Sequence, residues 1–465
     1  MSTTSNRGPG VVWFRRDLRL DDNPAWAAAT AAHDRVLALF VLEPALIDTA
    51  GDHRRNLFLA HLNVLHRDLE ELDGGLVVRP GPAVDAVTAV LAEVGAAALY
   101  LNHDYSPFAR RRDQSVIAAI DNLGGNRQVT VRRFHGNVVH RPGSVLTKAG
   151  SLSKVFTPFY KEWVDTPLDR WPEPGDGRPL VIDGEPMPEP DKPPARAAGN
   201  AGAWKRLREW LDQVADYDDT RDIPAISGTS DLSADLKFGT LGARTVVEAV
   251  GEATRGHAAF VRQLAWRDWY AHTLVAQPDL AARAVRPEYD RIKWRDDDGD
   301  FEAWASGQTG YPIVDAGMRQ LVQTGWMHNR VRMITASFLV KDLLIDWRRG
   351  ERFFRHHLID ADPAQNAGNW QWVAGTGFDA APYFRIFNPV SQAAKFDPHG
   401  HYIRRWIPEL AQLGDDQIHD PAAVPPLQLA ASGVILGDTY PEPVVDHGEA
   451  RERALVAYKA ALGRN

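Results

Sequence analysis

Cysteine is absent from the 465 residues. Its absence excludes disulfides, thiolate metal sites and iron–sulfur clusters, and fits a reducing cytoplasm. Apolar runs are short, and none reaches the length that crosses a bilayer, so no membrane partner is expected. The opening Met1–Gly10 is polar and lacks the apolar stretch of a secretory leader. No Gly-x-Gly-x-x-Gly follows the first strand-like run, and no Gly-Lys-Ser/Thr phosphate loop occurs, so a standard dinucleotide or nucleoside triphosphate site is not expected. Net positive charge is missing as well. A balance of −8 argues against indiscriminate coating of nucleic acid, though it leaves room for a local basic groove. These absences describe a soluble, cytoplasmic protein.

What is present is an ordinary globular balance, 44% apolar and 25% charged, in a chain too long for one core. Two domains are expected. The first third alternates short apolar runs (Val11–Phe14, Val36–Leu42, Leu76–Arg79, Ala97–Leu101 and Val129–Arg133) with segments of helical spacing. Leu57, Leu62, Leu65, Leu69 and Leu72 stripe one such segment; Val84, Val87, Val90, Leu91 and Val94 stripe another. Strands separated by helices predict an α/β domain over residues 1–138, a doubly wound parallel sheet with ligands at the carboxyl ends of its strands. Residues 139–200, with prolines from Pro142 to the Pro186–Pro194 run, read as an interdomain connector. From 201 to 465 the pattern is helical. Val314, Met318, Leu321 and Val322 share a face, and Val331–Leu344 is apolar enough for a buried helix. No internal repeat is visible. Thirteen of the fifteen tryptophans fall between Trp163 and Trp406, a residue type that fills cores and anchors partners more often than it carries electrons.

Four segments of the helical region carry unusual groups. Gly228-Thr-Ser-Asp-Leu-Ser233 sets three hydroxyls before a helical run, where they and free backbone N–H groups can bind an anion such as a pyrophosphate. The same composition equally caps a helix. In Gln263-Leu-Ala-Trp-Arg-Asp-Trp-Tyr270, the residues Gln263, Trp266, Arg267 and Tyr270 share one helical face. An amide, a ring and a cation there suit a base and its phosphate, or an ordinary packed amphipathic helix. In Gly325-Trp-Met-His-Asn-Arg-Val-Arg-Met333, the residues Trp326, Asn329 and Met333 align with Arg330 adjacent. Polar groups beside a buried helix need partners, from a ligand or from an internal network. His356, His357, Asp360 and Asp362 could be read as metal ligands, but adjacent histidines diverge on a helix and no metal motif accompanies them. No metal is expected. The two acids can instead accept from ligand N–H groups or from Arg332.

Together these segments resemble the photolyase/cryptochrome family from end to end. Val11-Val-Trp-Phe-Arg-Arg-Asp-Leu-Arg-Leu-Asp-Asp-Asn23 is similar to its opening signature. Gly228–Ser233, Thr309-Gly-Tyr-Pro-Ile-Val-Asp-Ala316, Trp326–Met333, Leu343-Leu-Ile-Asp-Trp347 and Asn388-Pro389 resemble its helical-domain signatures, nearest those of bacterial class I cyclobutane pyrimidine dimer photolyases. The resemblance implies FAD held in a folded form by the helical domain, UV-damaged DNA as partner, a carbon–carbon lyase activity driven by blue light, and a monomer. By position, Tyr217, Thr229, Ser230, Leu232 and Ser233 would hold the FAD phosphates. Gln263, Arg267, Asn329, Arg332, Asp342, Asp360, Asp362 and Asn366 would surround the rest of the cofactor, with Asn366 facing flavin N5. Arg221, Arg267, Arg330 and Arg332 would form a local basic rim for DNA. The dimer would be flipped out of the duplex, flanked by Trp266 and Trp372, with Gln263, Asn329 and Met333 at its edges. Excited reduced flavin would lend one electron, the cyclobutane bonds would break, and the electron would return. Trp370, Trp347 and Trp294 would relay electrons to oxidised FAD.

Three departures from the family pattern stand out. Gln263 occupies a position where cyclobutane-dimer enzymes carry Glu; it can donate and accept but cannot carry a charge. Six-four photolyases and animal cryptochromes also have Gln there, yet they carry a His pair near the Asn329 position that this chain lacks, which favours the cyclobutane dimer. Asp231 stands where the motif has Arg, and an acid beside a diphosphate is unfavourable unless it meets water or a cation. Phe108-Ala109 replaces the Asn-Glu pair of folate-binding relatives, which favours an 8-hydroxy-5-deazaflavin antenna in the α/β domain, or no antenna, over methenyltetrahydrofolate. The rival reading is a cryptochrome, a sensor that would share fold and flavin without repairing DNA. The chain ends at Asn465 soon after a helical segment beginning near Glu449, without the long tail many such sensors carry, which favours repair.

Overall fold

A computed structural model describes residues 8–122 and 128–463; residues 1–7, on which most of the leader reading falls, lie outside it. Five strands form where apolar runs were expected: β1 (Gly10–Phe14), β2 (Arg35–Leu42), β3 (Leu76–Pro80), β4 (Ala98–Asn102) and β5 (Thr130–Phe134). All pair in parallel in the order β3-β2-β1-β4-β5. β1 and β4 are buried throughout, as strands covered on both faces must be. β5, at the edge, is partly exposed and carries Arg132 and Arg133, a composition that discourages pairing with another chain. A two-residue strand, β6 (Arg178–Pro179), comes from the proline-rich connector and pairs with the start of β2. The strand order reverses between β1 and β4, the place where doubly wound sheets bind ligands.

The helices follow most of their apolar stripes; in Ala83–Glu93, Val87, Val90 and Leu91 are buried while Val84 is half-buried and Val94 lies past the helix end. Asp52–Glu70 buries Leu57, Leu62, Leu65 and Leu69, but Leu72 lies past its end and is exposed. Pro312–Thr324 buries Val314, Met318 and Leu321, while Val322 turns outward.

The chain divides into two compact units, Met1–Val214 with Ser230–Pro278, and Ala215–Thr229 with Asp279–Asn465. Contacts therefore group the Arg255–Ala276 helix with the sheet, whereas composition changes character near residue 201. In the first unit the opening signature works as a staple. Arg15 pairs with Asp113 at 2.8 Å, Asp17 accepts from Arg15 N and from Asn102, and Arg19 donates to the carbonyls of Gly239, Asp22 and Gly136. Asn23 caps the helix Pro24–Ala32.

In the second unit, the Thr309–Ala316 signature is a lock of the same kind. Fully buried Asp315 accepts from Thr309 N and Oγ1, Gly310 N and Tyr440 OH. The apolar run Val331–Leu344 is not one regular helix. An α-helix, Asn329–Ser337, gives way to a π-helical turn at Phe338–Asp342, and Leu344 has φ +53°. The turn carries two buried polar residues that find partners inside. Lys341 Nζ donates to Ala374 O at 3.1 Å and lies 3.6 Å over the Tyr458 ring, and Asp342 meets His447 at 2.5 Å.

Candidate active site

In the first unit, Thr254 caps the Arg255–Ala276 helix, which presents Gln263, Trp266 and Arg267 on one half-buried face above a buried Tyr270. The shared face expected from spacing is present. Phe156 stacks on Trp266 with centroids 3.7 Å apart and planes 12° from parallel, so one face of the indole is covered. Arg267 spends its fork on two backbone carbonyls, Asn137 O at 2.7 Å and Leu236 O at 3.0 Å. It works first as a strut. Gln263 donates to its own helix, at Ala259 O. In the hydroxyl-rich loop, Ser230 Oγ accepts from Leu232 N, Leu232 is buried and Ser233 is exposed. Asp231 pairs with Arg196 at 3.3 Å.

In the second unit, Gly228 and half-buried Thr229 begin that loop; a Cβ at Gly228 would press on Thr220 at 2.8 Å, which explains the glycine. Tyr217 is buried and Arg221 lies over its ring. Helix Asn329–Ser337 is capped by His328, whose ring accepts from Arg330 N. Asn329 reaches Met333 S at 3.8 Å, so these two share a face as expected. Trp326 does not join them, because it precedes the cap and sits outside the helix. Arg330 pairs with Asp222 at 2.8 Å and lies 4.3 Å over Phe396. Burial pushes His328 down to about 4, against the pull of Asp222.

Arg332 holds Asp360 with both ends of its fork, at 3.1 and 2.9 Å, and donates to Met327 O. Asp362 caps helix Pro363–Ala374, accepting from Ala364 N and Gln365 N. That helix carries Asn366, Trp370 and Trp372. Asn366 Nδ2 donates to Glu351 O and to Glu351 Oε1, both at 2.9 Å. Glu351 is buried, which pushes its carboxyl above the usual range, opposed by Arg355 3.7 Å away. Burial likewise raises Asp342, against its bond to His447. Trp370 and Trp347 are buried; Trp294 is half-buried and meets Tyr458 edge-on at 6.1 Å. The supposed metal set is otherwise engaged, Asp360 by Arg332 and Asp362 by its helix. Sequence reasoning missed Glu351, which reads as one more solvated acid in the basic helix Trp347–His357. It also missed Gln371, whose amide bonds Val285 N, Leu280 O and Arg283 O and anchors the helix that holds Trp370 and Trp372.

Among the described residues, buried atoms with no partner include Asp342 Oδ2, His328 Nε2 and Trp370 Nε1 in the second unit. In the first unit they include Trp13 Nε1 and the Nε and Nη2 of Arg15, at the end of β1. Such atoms cost free energy unless a ligand or water meets them.

Residues 260–460 match the family model for the FAD binding domain of DNA photolyase, and residues 10–175 match that for DNA photolyase. The chain is 41% identical to a deoxyribodipyrimidine photo-lyase of Agrobacterium fabrum over 97% of this chain and 98% of that protein. A crystal structure of a bacterial class III photolyase from Agrobacterium tumefaciens is 38% identical and superposes with a TM-score of 0.92, covering 99% of this chain and all of the other. An archaeal photolyase from Sulfolobus tokodaii, solved with two FAD molecules, is 33% identical with a TM-score of 0.84, covering 97% of this chain and all of the other. The similarity to a class III enzyme stands beside the class I resemblance of the motifs. With nearly the whole chain matched at this identity, it belongs to the photolyase/cryptochrome family.

Proposed function

We propose that this chain is a deoxyribodipyrimidine photo-lyase that repairs cyclobutane pyrimidine dimers in UV-damaged DNA, working as a cytoplasmic monomer. The observation that carries the reading is the pair of buried carboxylate locks, Arg332–Asp360 and Glu351–Asn366, on a chain 41% identical over its length to a named photo-lyase. FAD held by the helical domain would supply, once reduced and excited by light, the electron for opening the cyclobutane ring. The protein's part is to hold and orient. Ser230, Leu232 and Ser233 in the first unit, with Tyr217 and Thr229 in the second, are assigned to the cofactor phosphates. Asn329, Arg332, Asp342, Asp360, Asp362 and Asn366 are assigned to the flavin and ribityl region, where Asp342 Oδ2 offers a buried acceptor.

For DNA, Arg221 and Arg330 are assigned to phosphates, and Gln263, Asn329 and Met333 to base edges. Trp266 offers stacking surface in the first unit and Trp372 in the second. Arg267 and Arg332 serve mainly as struts for these groups. Trp370, Trp347 and Trp294 carry electrons inward for reduction of the cofactor. An antenna, 8-hydroxy-5-deazaflavin, is assigned to the carboxyl end of β1 and β4. There Arg15 and Arg112 both lie 4.8 Å over Trp13, and three unpartnered donors suit a ring rich in acceptors.

The test is repair of a dimer-containing oligonucleotide under blue light beside a dark control. Loss of dimers only in light is expected; bound flavin without loss of dimers would make the chain a sensor. Substituting Gln263→Leu should leave base-edge groups unpaired and weaken lesion binding by about 1–3 kcal/mol. Preferential repair of six-four products by the wild type would overturn the choice of lesion.

A further inference from the structure

Asp231 has φ +52°, the left-handed region that a residue other than glycine keeps only where its surroundings hold it. What holds it is Arg196, from the proline-rich connector. One guanidinium nitrogen donates to the Asp231 carbonyl at 2.6 Å, and the other meets the Asp231 carboxylate at 3.3 Å. The first nitrogen also reaches Asp235 at 3.1 Å. Asp235 is fully buried, and Arg206 takes both of its oxygens, at 2.6 and 2.9 Å. Two cations thus face two carboxylates, and the grip on the main chain falls on the residue between Ser230 and Leu232.

We propose that Arg196 is the positioning residue of the 228–233 loop. It fixes the left-handed turn at Asp231 and neutralises the carboxylate there, so that Ser230 and Ser233 are presented to the diphosphate of FAD. The inference rests on the assignment of that loop to the cofactor phosphates. Two needs meet in one side chain. A carboxylate beside a diphosphate repels it unless paired, and a left-handed aspartate reverts to commoner conformations unless its carbonyl is tethered. A planar fork holds a carbonyl and a carboxylate in one fixed geometry, whereas an ammonium is a compact charge on a flexible stem and fixes that geometry less well. The arginine that the related motif carries inside the loop is replaced here by Asp231, and the cation arrives from the connector instead.

The measurement is the dissociation constant of FAD, read from the fluorescence of released flavin, with the melting temperature of each apoprotein beside it. If untethered loops adopt the binding turn in about a tenth of molecules, Arg196→Ala should weaken FAD about tenfold. Arg196→Lys should recover only part of that. The double substitution Arg196→Ala with Asp231→Gly removes both needs at once, since glycine accepts a positive φ freely and carries no charge. It should bind FAD within about threefold of wild type. An Arg196→Ala protein with wild-type affinity overturns the proposal, as does a double variant as weak as the single one. A shift in melting temperature with unchanged affinity also overturns it, by making Arg196 a strut alone. Wild-type protein that holds no FAD overturns the assignment of the loop itself, and Arg196 with it.

Discussion

Replacing Gly350 by alanine sets two effects of opposite sign against each other. Gly350 lies inside the Trp347–His357 helix, where alanine is ordinarily the better residue by about 0.5–1 kcal/mol. A methyl group there would press on the six-membered ring of Trp370, at Cη2 and, 2.7 Å away, Cζ2, and would lie 2.6 Å from Leu339 Cδ2. Neither neighbour is free to yield. Trp370 is 2% exposed and is met edge-on by Phe354 at 5.0 Å and by Trp304 at 6.2 Å. Forcing extra volume into a packed core costs about 1–3 kcal/mol, so packing outweighs propensity and the net loss should be roughly 0.5–2 kcal/mol. At about 2–4 °C per kcal/mol for a unit of this size, the melting temperature should fall by a few degrees. Because the displaced ring is the first member of the proposed relay, light-driven reduction of oxidised flavin should slow as well. Thermal unfolding and photoreduction kinetics of Gly350→Ala beside wild type provide the assay. A melting temperature at or above wild type would mean that Trp370 does not pack where the structure has it.

Trp347→Phe should block photoreduction while leaving repair by chemically reduced protein intact; loss of both would make Trp347 purely structural. Asp222→Asn releases Arg330 from its ion pair, and the salt slope of DNA binding should steepen by about one unit; an unchanged slope removes Arg330 from the DNA contact. His328→Gln bears on stability against pH. The His328 ring titrates near 4 in the fold and near 6.5 unfolded, so between these values the unfolded chain binds a proton that the native one refuses. Its contribution to stability is complete above pH 6.5 and lost as pH falls to 4, roughly 3 kcal/mol in all. Denaturant titrations of the glutamine variant should therefore run flatter across that window, and an equal slope would show that His328 protonates in the native state.

The sheet was legible because a strand buried on both faces must be largely apolar; β1 is wholly so, and β2, β3 and β4 carry polar residues only at or near an end, at Arg35, Arg79 and Asn102. The helical face of Gln263, Trp266 and Arg267 was legible for a similar reason, since period alone fixes it. Partners were not. Nothing in the spacing of Arg267 reveals Asn137 O and Leu236 O as its acceptors, and Asp222 lies 108 residues from the Arg330 it neutralises. Nor can an apolar run tell an α-helix from a π-helical turn, because both bury the same side chains. The turn at Phe338–Asp342 depends on Ala374, Tyr458 and His447, which are distant in sequence. The division into units escaped for a related reason. Composition changes near 201, while contacts join 230–278 to the sheet.

Membership of a signature motif does not separate scaffold from site; the bonds do. Asp315 sits in the densest signature of the chain, yet its carboxylate accepts from three groups at one end of the motif and from Tyr440, and it locks the fold. Asn366 lies outside the quoted signatures and behaves differently. Both hydrogens of its amide have acceptors on Glu351, the backbone carbonyl and the carboxylate. A primary amide has two donors and one carbonyl oxygen, so the end left to a ligand can only accept. Whatever atom meets Asn366 must therefore carry a hydrogen. Glu351 fixes that polarity from a buried position, where loss of either partner would leave an unmet polar group. At the proposed flavin site, an acceptor held in one orientation would favour a cofactor whose facing atom carries a proton over one whose facing atom is a bare acceptor.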